Sequence, residues 1–477
     1  MNKNSHKSLI NISKKTFIQV AALLLGLMIL SIVLTYIIPK GEFGKFEDGS
    51  TDYSVYIQSE GKKGINIFKG IFAPVLVFGS SDGITLIMLS LFLLIISASF
   101  QVMNDVGGIS ALIGSIERKF KDKQNLLIAL LSLVFMAFGA FLGLFEEMIP
   151  MLPIIMALSI MLGLDSFTAF LICIISCGFG FASAVTNPFT VILASEIIGV
   201  NPMHNIWYRL IIFAVMYLLL IGFIFLYVKK IRKAPEKSLT YDHDMELRSK
   251  ISAEAEVTEN AGGAAKTRLI YTVFLLLSLI LIIIFSSISA LRSYTVVGLI
   301  AYFLIFGIIS GIAACGNAKK VFKSFAKGLT GALPTIVFIG LAASIKYIFD
   351  EGGILPTIAN QINNAAAGGN KFVIALIIYL IVLVLEFFIS SSTAKAILVM
   401  GLLAVVNVGL SKEMMVLLYT FGDGYTNVIF PTSPVLLISL SMIGMDYFKW
   451  IKKSFPLILV NTALVVLFIV AGVAMGY

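Results

Sequence analysis

Ser183-Ala184-Val185-Thr186-Asn187-Pro188-Phe189-Thr190 interrupts an apolar run that extends from Ser166 to Ile198, and its reading decides the fold. Hydrocarbon offers backbone N–H and C=O groups no partner, so a helix crossing it breaks only where protein or a water-lined cavity shelters the break. Pro188 removes an N–H and ends the first half-helix. A second run, Met414 to Met445, is broken in the same way, at Gly422-Asp423-Gly424-Tyr425-Thr426-Asn427 and at Pro431-Thr432-Ser433-Pro434. Thr186-Asn187-Pro188 and Thr432-Ser433-Pro434 stand 246 residues apart. Val102-Met103-Asn104-Asp105-Val106-Gly107-Gly108-Ile109 matches Tyr347-Ile348-Phe349-Asp350-Glu351-Gly352-Gly353-Ile354 at an offset of 245, and so does Glu146 with Ser391, each inside another interrupted run. Three landmarks keeping one offset within a residue predict an internal repeat.

The composition fits a chain built for lipid. Of 477 residues 59% are hydrophobic and 13% charged, with a mean hydropathy of +1.00, against about 25% charged in a soluble domain. The net charge of +9 lies in short loops, which is the positive-inside pattern and leaves no basic stripe for a nucleic acid. Cys173, Cys177 and Cys315 sit in apolar stretches and make no disulfide framework. Cys173 and Cys177 share a helix face without His or acid at ligand spacing, so they read as packing. His6, His204 and His243 are scattered. No nucleophile, base and orienter combination and no phosphate loop occurs, so the chain reads as no enzyme and no ATP-driven pump. The polar pieces 39–65 and 229–268 are too small for a sensor domain.

Orientation follows from charge. The span Phe17 to Ile38 follows Lys3, Lys7, Lys14 and Lys15 and is too long for a signal peptide, which puts the N-terminus in the cytoplasm. Residues 39–65 lack a basic excess and read as an outer loop. The span Ile84 to Met103 leads to a basic amphipathic stretch, Val106 to Lys123, expected as an inner surface helix. Ile206 to Val228 leads to the basic linker 229–268. Spans at 269–290 and 294–314, a basic stretch with Lys319, Lys320, Lys323 and Lys327, a span at 329–349 and a last span at 455–476 complete the chain. One Gly-Gly landmark adjoins a basic cluster and the other adjoins Asp350 and Glu351, so the repeats are oppositely oriented, as in secondary transporters. The expected fold is an all-α polytopic membrane protein, an inverted-repeat transporter with re-entrant hairpins at 125–163 and 372–410 and broken transmembrane helices at 166–198 and 414–445. Nine full spans accompany the hairpins and leave the C-terminus outside the cell. The expected divisions are 1–81 (first span and outer loop), 82–228 (first repeat), 229–268 (cytoplasmic linker), 269–328 (scaffold spans) and 329–477 (second repeat and last span).

The breaks carry the candidate chemistry. The half-helix from Pro188 presents free N–H groups and a partial positive end, suited to a carboxylate. The half ending near Ser183 offers carbonyls suited to Na⁺. Thr186, Asn187 and Thr190 add neutral oxygens, as do Thr426, Asn427, Thr432 and Ser433. Glu146 and Glu147 are either a buried tip that needs Na⁺, H⁺ or a cationic substrate, or a solvated loop between two full spans. Ser390, Ser391, Ser392 and Thr393 are oxygen ligands or helix caps. Lys395 is a partner for a substrate carboxylate, an ion pair with Glu386, or a snorkelling surface residue. Asp423, between two glycines in a broken span, is the acid whose depth most demands a function. Substrate binding is thus expected of Glu146, Glu147, Asn187, Thr190, Ser392, Thr393, Lys395, Asp423, Asn427, Thr432 and Ser433, and Na⁺ coordination of Thr186, Asn187, Ser391 and Thr426. No cofactor is expected beyond a coupling Na⁺ or H⁺.

The Phe145-Glu146-Glu147-Met148-Ile149-Pro150 tip, the Val185 to Thr190 break and the Gly422 to Asn427 and Pro431-Thr432-Ser433 stretches resemble the YfcC branch of the anaerobic C4-dicarboxylate carrier family, within the ion-transporter superfamily. The likeness runs over about residues 15–476. It implies a scaffold and a transport domain, homodimers in a bacterial inner membrane and an elevator motion, with arginine/ornithine antiporters and C4-dicarboxylate carriers among the members. In related symporters hairpin tips and broken helices bind Na⁺ and a substrate carboxylate, a pattern that falls here on Ser391, Ser392, Thr393, Thr186, Asn187, Thr432 and Ser433. Glu146, Glu147 and Lys395 depart from that pattern. A dicarboxylate would face three acids with only Lys395 to offset them, whereas a cationic amino acid could place its side chain near an acid. The expectation is therefore an amino-acid transporter working by arginine/ornithine-type exchange or cation-coupled uptake. The alternative is a Na⁺- or H⁺-coupled C4-dicarboxylate carrier, with a channel or receptor ranked lower.

Overall fold

The computed structural model describes residues 14–49, 51–59, 64–109, 111–112, 123–245, 247–248, 264–292, 294–361, 369–389, 391–405 and 409–477. The chain is an all-α polytopic membrane protein. Among the described residues nine helices are long and apolar enough to cross a membrane: Phe17–Ile37, Gly83–Asp105, Gln124–Leu142, Ile206–Lys233, Ala265–Phe285, Thr295–Cys315, Ala318–Gly352, Lys371–Phe388 and Tyr447–Met475. This nine differs in membership from the nine expected. Two of these helices, Gln124–Leu142 and Lys371–Phe388, are first arms of the expected hairpins. The two broken stretches are absent from the nine because each is divided into pieces too short to cross alone, Ser166–Ala182 with Pro188–Ile198 and Lys412–Gly424 with Pro434–Met442. Outward faces are apolar, with Leu218, Leu226, Leu459 and Leu467 each 60% exposed or more, as lipid-facing positions require.

Helix packing gathers the elements into two groups. In the first, Gly83–Asp105 lies along Ala318–Gly352, the helices that end at the two Gly-Gly landmarks, and Lys14–Ile37, Thr295–Cys315 and Ala264–Ser287 are added around them. Apolar association gains little in lipid, so close contact through small residues holds such helices together. A Cβ on Gly328 would fall 2.5 Å from Ala98 Cα, and one on Gly307 would fall 2.2 Å from Ser99 Oγ. The Ser99 hydroxyl donates across that contact to the Phe303 carbonyl at 2.5 Å.

The second group contains the interrupted elements. The arm Gln124–Ala137 with its continuation Phe138–Leu142 packs on Ser176–Ala182, and Lys371–Phe388 packs on Lys412–Gly424. Two contacts join the interrupted elements across the group: Ser392–Val405 lies against Leu193–Ile198, and the turn Glu146–Met151 lies against Pro434–Met442, while Leu152–Met161 packs on its neighbour Ser166–Phe170. Ile206–Lys233 and Tyr447–Met475 close the group. Contacts between the two groups are sparse compared with those inside each.

The polar segment expected as an outer loop contains an antiparallel hairpin, Gly41–Lys45 with Thr51–Gln58. Its first strand is tied to the first group by the Gly41 N–H bond to the Gly353 carbonyl at 3.0 Å. Its second strand rests on Ser392–Val405. The expected inner surface helix falls mainly on 110 and 113–122, outside the described residues, as do Ser390 and the middle of the linker, 249–263.

Candidate substrate site

Both breaks follow the same local chemistry. Asn187 stands before Pro188, and its Oδ1 accepts from the N–H groups of Phe189 at 2.9 Å and Thr190 at 3.3 Å, so it caps the second half-helix. Ser433 stands before Pro434, and its Oγ accepts from Leu436 N–H at 3.4 Å. A short polar cap followed by proline in the first turn is the favoured way to start a helix, because proline lacks the N–H that would otherwise be orphaned. The first hairpin arm seals the first break. The Ala140 carbonyl accepts from Val185 N–H at 2.9 Å and Thr186 N–H at 3.2 Å, and the Thr186 hydroxyl donates to the Phe141 carbonyl at 3.2 Å. Gly143 has φ +69° and touches the cap, since a Cβ there would fall 2.4 Å from Asn187 Oδ1.

The two breaks meet each other. A Cβ on Gly424 would fall 2.1 Å from Ala182 Cα, and one on Gly178 would fall 2.2 Å from Val428 Cγ1. Side by side there are the end of the half-helix Ser176–Ala182, where the Ser183 N–H and hydroxyl both donate to the Phe179 carbonyl, and an acid between two glycines.

The acid is Asp423, fully buried, and it organises a charged cluster with the second hairpin. Lys395, also fully buried, pairs with Asp423 Oδ1 at 2.7 Å and with the Glu386 carboxylate, and its third donor goes to the Ile389 carbonyl at 3.1 Å. The ammonium is thus held by two carboxylates and one carbonyl. Ser392 Oγ donates to Asp423 Oδ2 at 2.9 Å, and Asn427 Nδ2 donates to the Asp423 carbonyl at 2.9 Å. The Tyr419 hydroxyl donates to the Ser392 carbonyl at 2.5 Å and lies 3.4 Å from Asp423 Oδ1. Glu146 stands exposed within electrostatic reach of Asp423, with Glu147 beside it, and Glu147 accepts from Phe145 N–H at 3.2 Å.

Of the residues singled out in the sequence, Lys395, Asp423, Ser392 and Asn427 thus form one bonded cluster, with Glu146 within electrostatic reach of it. Burial removes the snorkelling reading of Lys395, and its Glu386 pair is joined by a second one to Asp423. Thr190 is fully buried, and its hydroxyl has no hydrogen-bond partner among the described residues. Ser391 and Thr393 are exposed, and Ser391 Oγ caps its own helix at Ala394 N–H, 3.4 Å away. The Thr426 hydroxyl donates at 3.4 Å within its own helix to the Gly422 carbonyl. The four oxygens expected around Na⁺ therefore each have a local role, with Asn187 and Ser391 capping and Thr186 and Thr426 donating to carbonyls. Thr432 and Ser433 are buried at the start of the half-helix that packs on the Glu146 turn. Two members of the cluster were not among the candidates. Glu386 was visible only as a possible partner of Lys395, and Tyr419 is signalled only by its spacing of four from Asp423, which puts both on one helix face.

The family model described as "C4-dicarboxylate anaerobic carrier", DcuC, matches residues 17–474. The chain is 27% identical over 415 residues to the Escherichia coli (strain K12) protein YfcC, whose name gives it provisionally as a basic amino acid antiporter, with 84% of this chain and 80% of that protein aligned. It is 24% identical over 493 aligned positions to an uncharacterized protein of Haemophilus influenzae (strain ATCC 51907 / DSM 11121 / KW20 / Rd), covering 93% of this chain and 95% of that one. Among solved structures, the Alcanivorax borkumensis YdaH transporter aligns over 96% of this chain and 99% of its own at 14% identity and a TM-score of 0.45. With the family model matching nearly its whole length, the chain belongs to the DcuC family of C4-dicarboxylate anaerobic carriers and is a membrane transporter of a small-molecule solute.

Proposed function

We propose that this transporter moves a cationic amino acid, by exchange of arginine/ornithine type, through the cluster around Asp423. The observation that carries the proposal is the surplus of acid. Glu386 and Asp423 already share one lysine, Glu146 faces Asp423 from the other repeat, and Glu147 adjoins it. A guanidinium or ammonium side chain relieves that surplus, whereas a dicarboxylate increases it and finds the donors of Lys395 all engaged. The substrate carboxylate is assigned to the Pro188 half-helix, where the Thr190 hydroxyl is free to donate. The provisional description of YfcC as a basic amino acid antiporter points the same way. Exchange of equally charged partners forgoes the membrane potential, about 2.3 kcal/mol per charge per 100 mV.

The sparse contacts between the two helix groups support an elevator-like alternating-access movement of the interrupted elements along the others. With it go re-entrant hairpins at 125–163 and 372–410, two inverted repeats, a homodimer, and a multi-pass chain in the cytoplasmic membrane with its N-terminus inside and its C-terminus outside. Titration of the purified protein with L-arginine, L-ornithine, succinate and L-aspartate tests the substrate class. The proposal predicts saturable binding of the first two, while binding of succinate or aspartate alone would refute it.

A further inference from the structure

Lys395 occupies the place that a substrate cation would need. Its ammonium lies 2.7 Å from Asp423 Oδ1, while Asp423 Oδ2 takes the Ser392 hydroxyl at 2.9 Å, so both carboxylate oxygens are already engaged. A cation arriving at Asp423 competes with the lysine for it. The displaced ammonium keeps two of its three partners, the Glu386 carboxylate and the Ile389 carbonyl, which lie next to it in sequence across the turn between Lys371–Phe388 and Ser392–Val405. Burial makes the exchange tight in energy, because a lysine with no carboxylate in such a place is strongly unfavourable, while one that passes from two carboxylates to one is not stranded.

Resting on the substrate reading above, we infer that Lys395 is a tethered stand-in for the substrate's cationic group at Asp423, and that Glu386 is the carboxylate to which it withdraws when substrate binds. Glu386 is then a positioning residue that sets affinity through Lys395. It lowers the work of displacing the lysine without touching substrate. Lys395 in turn sets an upper limit on affinity, which lets the cargo leave, and it satisfies Asp423 when the site is empty.

The signs that follow differ from those of a merely structural ion cluster, in which every substitution weakens binding. Glu386→Gln leaves Lys395 with Asp423 as its one carboxylate, so the lysine competes harder and the Kd for L-arginine rises about tenfold or more. Lys395→Gln removes the competitor, and the Kd falls by a similar factor. The double variant Glu386→Gln/Lys395→Gln binds more tightly than Glu386→Gln alone, because Glu386 has no role once the lysine is gone.

The experiment is titration of the purified full-length protein with L-arginine, with thermal unfolding recorded for each variant. The order Lys395→Gln, wild type, Glu386→Gln from tightest to weakest supports the inference, as does recovery in the double variant. Unchanged or tighter binding by Glu386→Gln overturns it, as does weaker binding by a folded Lys395→Gln. If Lys395→Gln does not fold, the double variant, which removes both charges of the pair, decides: binding tighter than that of Glu386→Gln supports the inference, and binding as weak or weaker overturns it. Absence of arginine binding to the wild type would overturn the substrate reading and this inference with it, whereas wild-type binding without the predicted order overturns the inference only.

Discussion

Replacing Asp423 by Asn removes one negative charge from the cluster and keeps its shape. The asparagine oxygen can still accept from Ser392, and Lys395 keeps Glu386 and the Ile389 carbonyl. A hydrogen bond to a charged group contributes roughly 1.5–3 kcal/mol, and stranding a buried ion costs about 3–5 kcal/mol. With one carboxylate retained, Asp423→Asn falls in the lower range. Removing both carboxylates, Glu386→Gln with Asp423→Asn, strands Lys395, and the pair loses roughly 1–3 kcal/mol more than the sum of the single losses. Transport responds differently. Asp423→Asn deprives the substrate cation of its carboxylate, and about 3 kcal/mol of lost binding corresponds to more than a hundredfold at subsaturating substrate. Denaturation of the three variants beside wild type measures the first effect, and arginine uptake into proteoliposomes containing equal amounts of protein measures the second. Wild-type uptake by Asp423→Asn, or additive stability losses in the double variant, would refute the reasoning.

Other substitutions probe the rest of the site. Asn187→Ala removes the cap of the Pro188 half-helix and costs about 0.5–2 kcal/mol. It abolishes transport while leaving membrane expression intact, and normal uptake would take Asn187 out of the site. Thr190→Val exchanges a buried, unpartnered hydroxyl for a methyl, so stability holds within about 1 kcal/mol while arginine affinity falls about tenfold in titration. A lower melting temperature at unchanged affinity would make Thr190 a packing residue. Gly424→Ala places a methyl 2.1 Å from Ala182 Cα and forces the two breaks apart at a cost of about 1–3 kcal/mol, with transport lost. Uptake at the wild-type rate would show that the breaks need not touch.

The parts of this molecule that rest on one-dimensional contrast were legible in its sequence. Pro188 and Pro434 behind polar residues, inside apolar runs, mark breaks that hydrocarbon does not tolerate unaided, and the chain is divided at both. Glu386 and Lys395 were close enough along one hairpin to suggest their pair. The Lys395 contact with Asp423 was out of reach, because hydropathy says which segments lie in lipid and not which face of one meets another. Tyr419 escaped for the same reason, since a tyrosine in an apolar helix carries no sign of what its hydroxyl meets. The span count shows how a total can agree while its members differ, for a hairpin arm is long enough to be scored as a crossing and a broken helix is not. The strands Gly41–Lys45 and Thr51–Gln58 were hidden because charges and glycines blur their alternation, and their place is fixed by the helix ends they bridge. The π-helical turns Phe138–Leu142 and Pro188–Ile192 each admit one extra residue beside a break, a local adjustment with no sequence signature.

Counterflow separates exchange of cationic amino acids from carriage of dicarboxylates. Proteoliposomes of the purified protein are loaded with L-ornithine, L-arginine, succinate or L-aspartate, and trace labelled arginine or succinate is supplied outside, with and without a Na⁺ gradient. The account predicts that internal ornithine or arginine drives transient accumulation of labelled arginine without Na⁺, and that succinate neither drives it nor accumulates. Accumulation of succinate or aspartate, dependent on Na⁺ or pH and indifferent to arginine, would contradict it and make Lys395 the partner of a substrate anion.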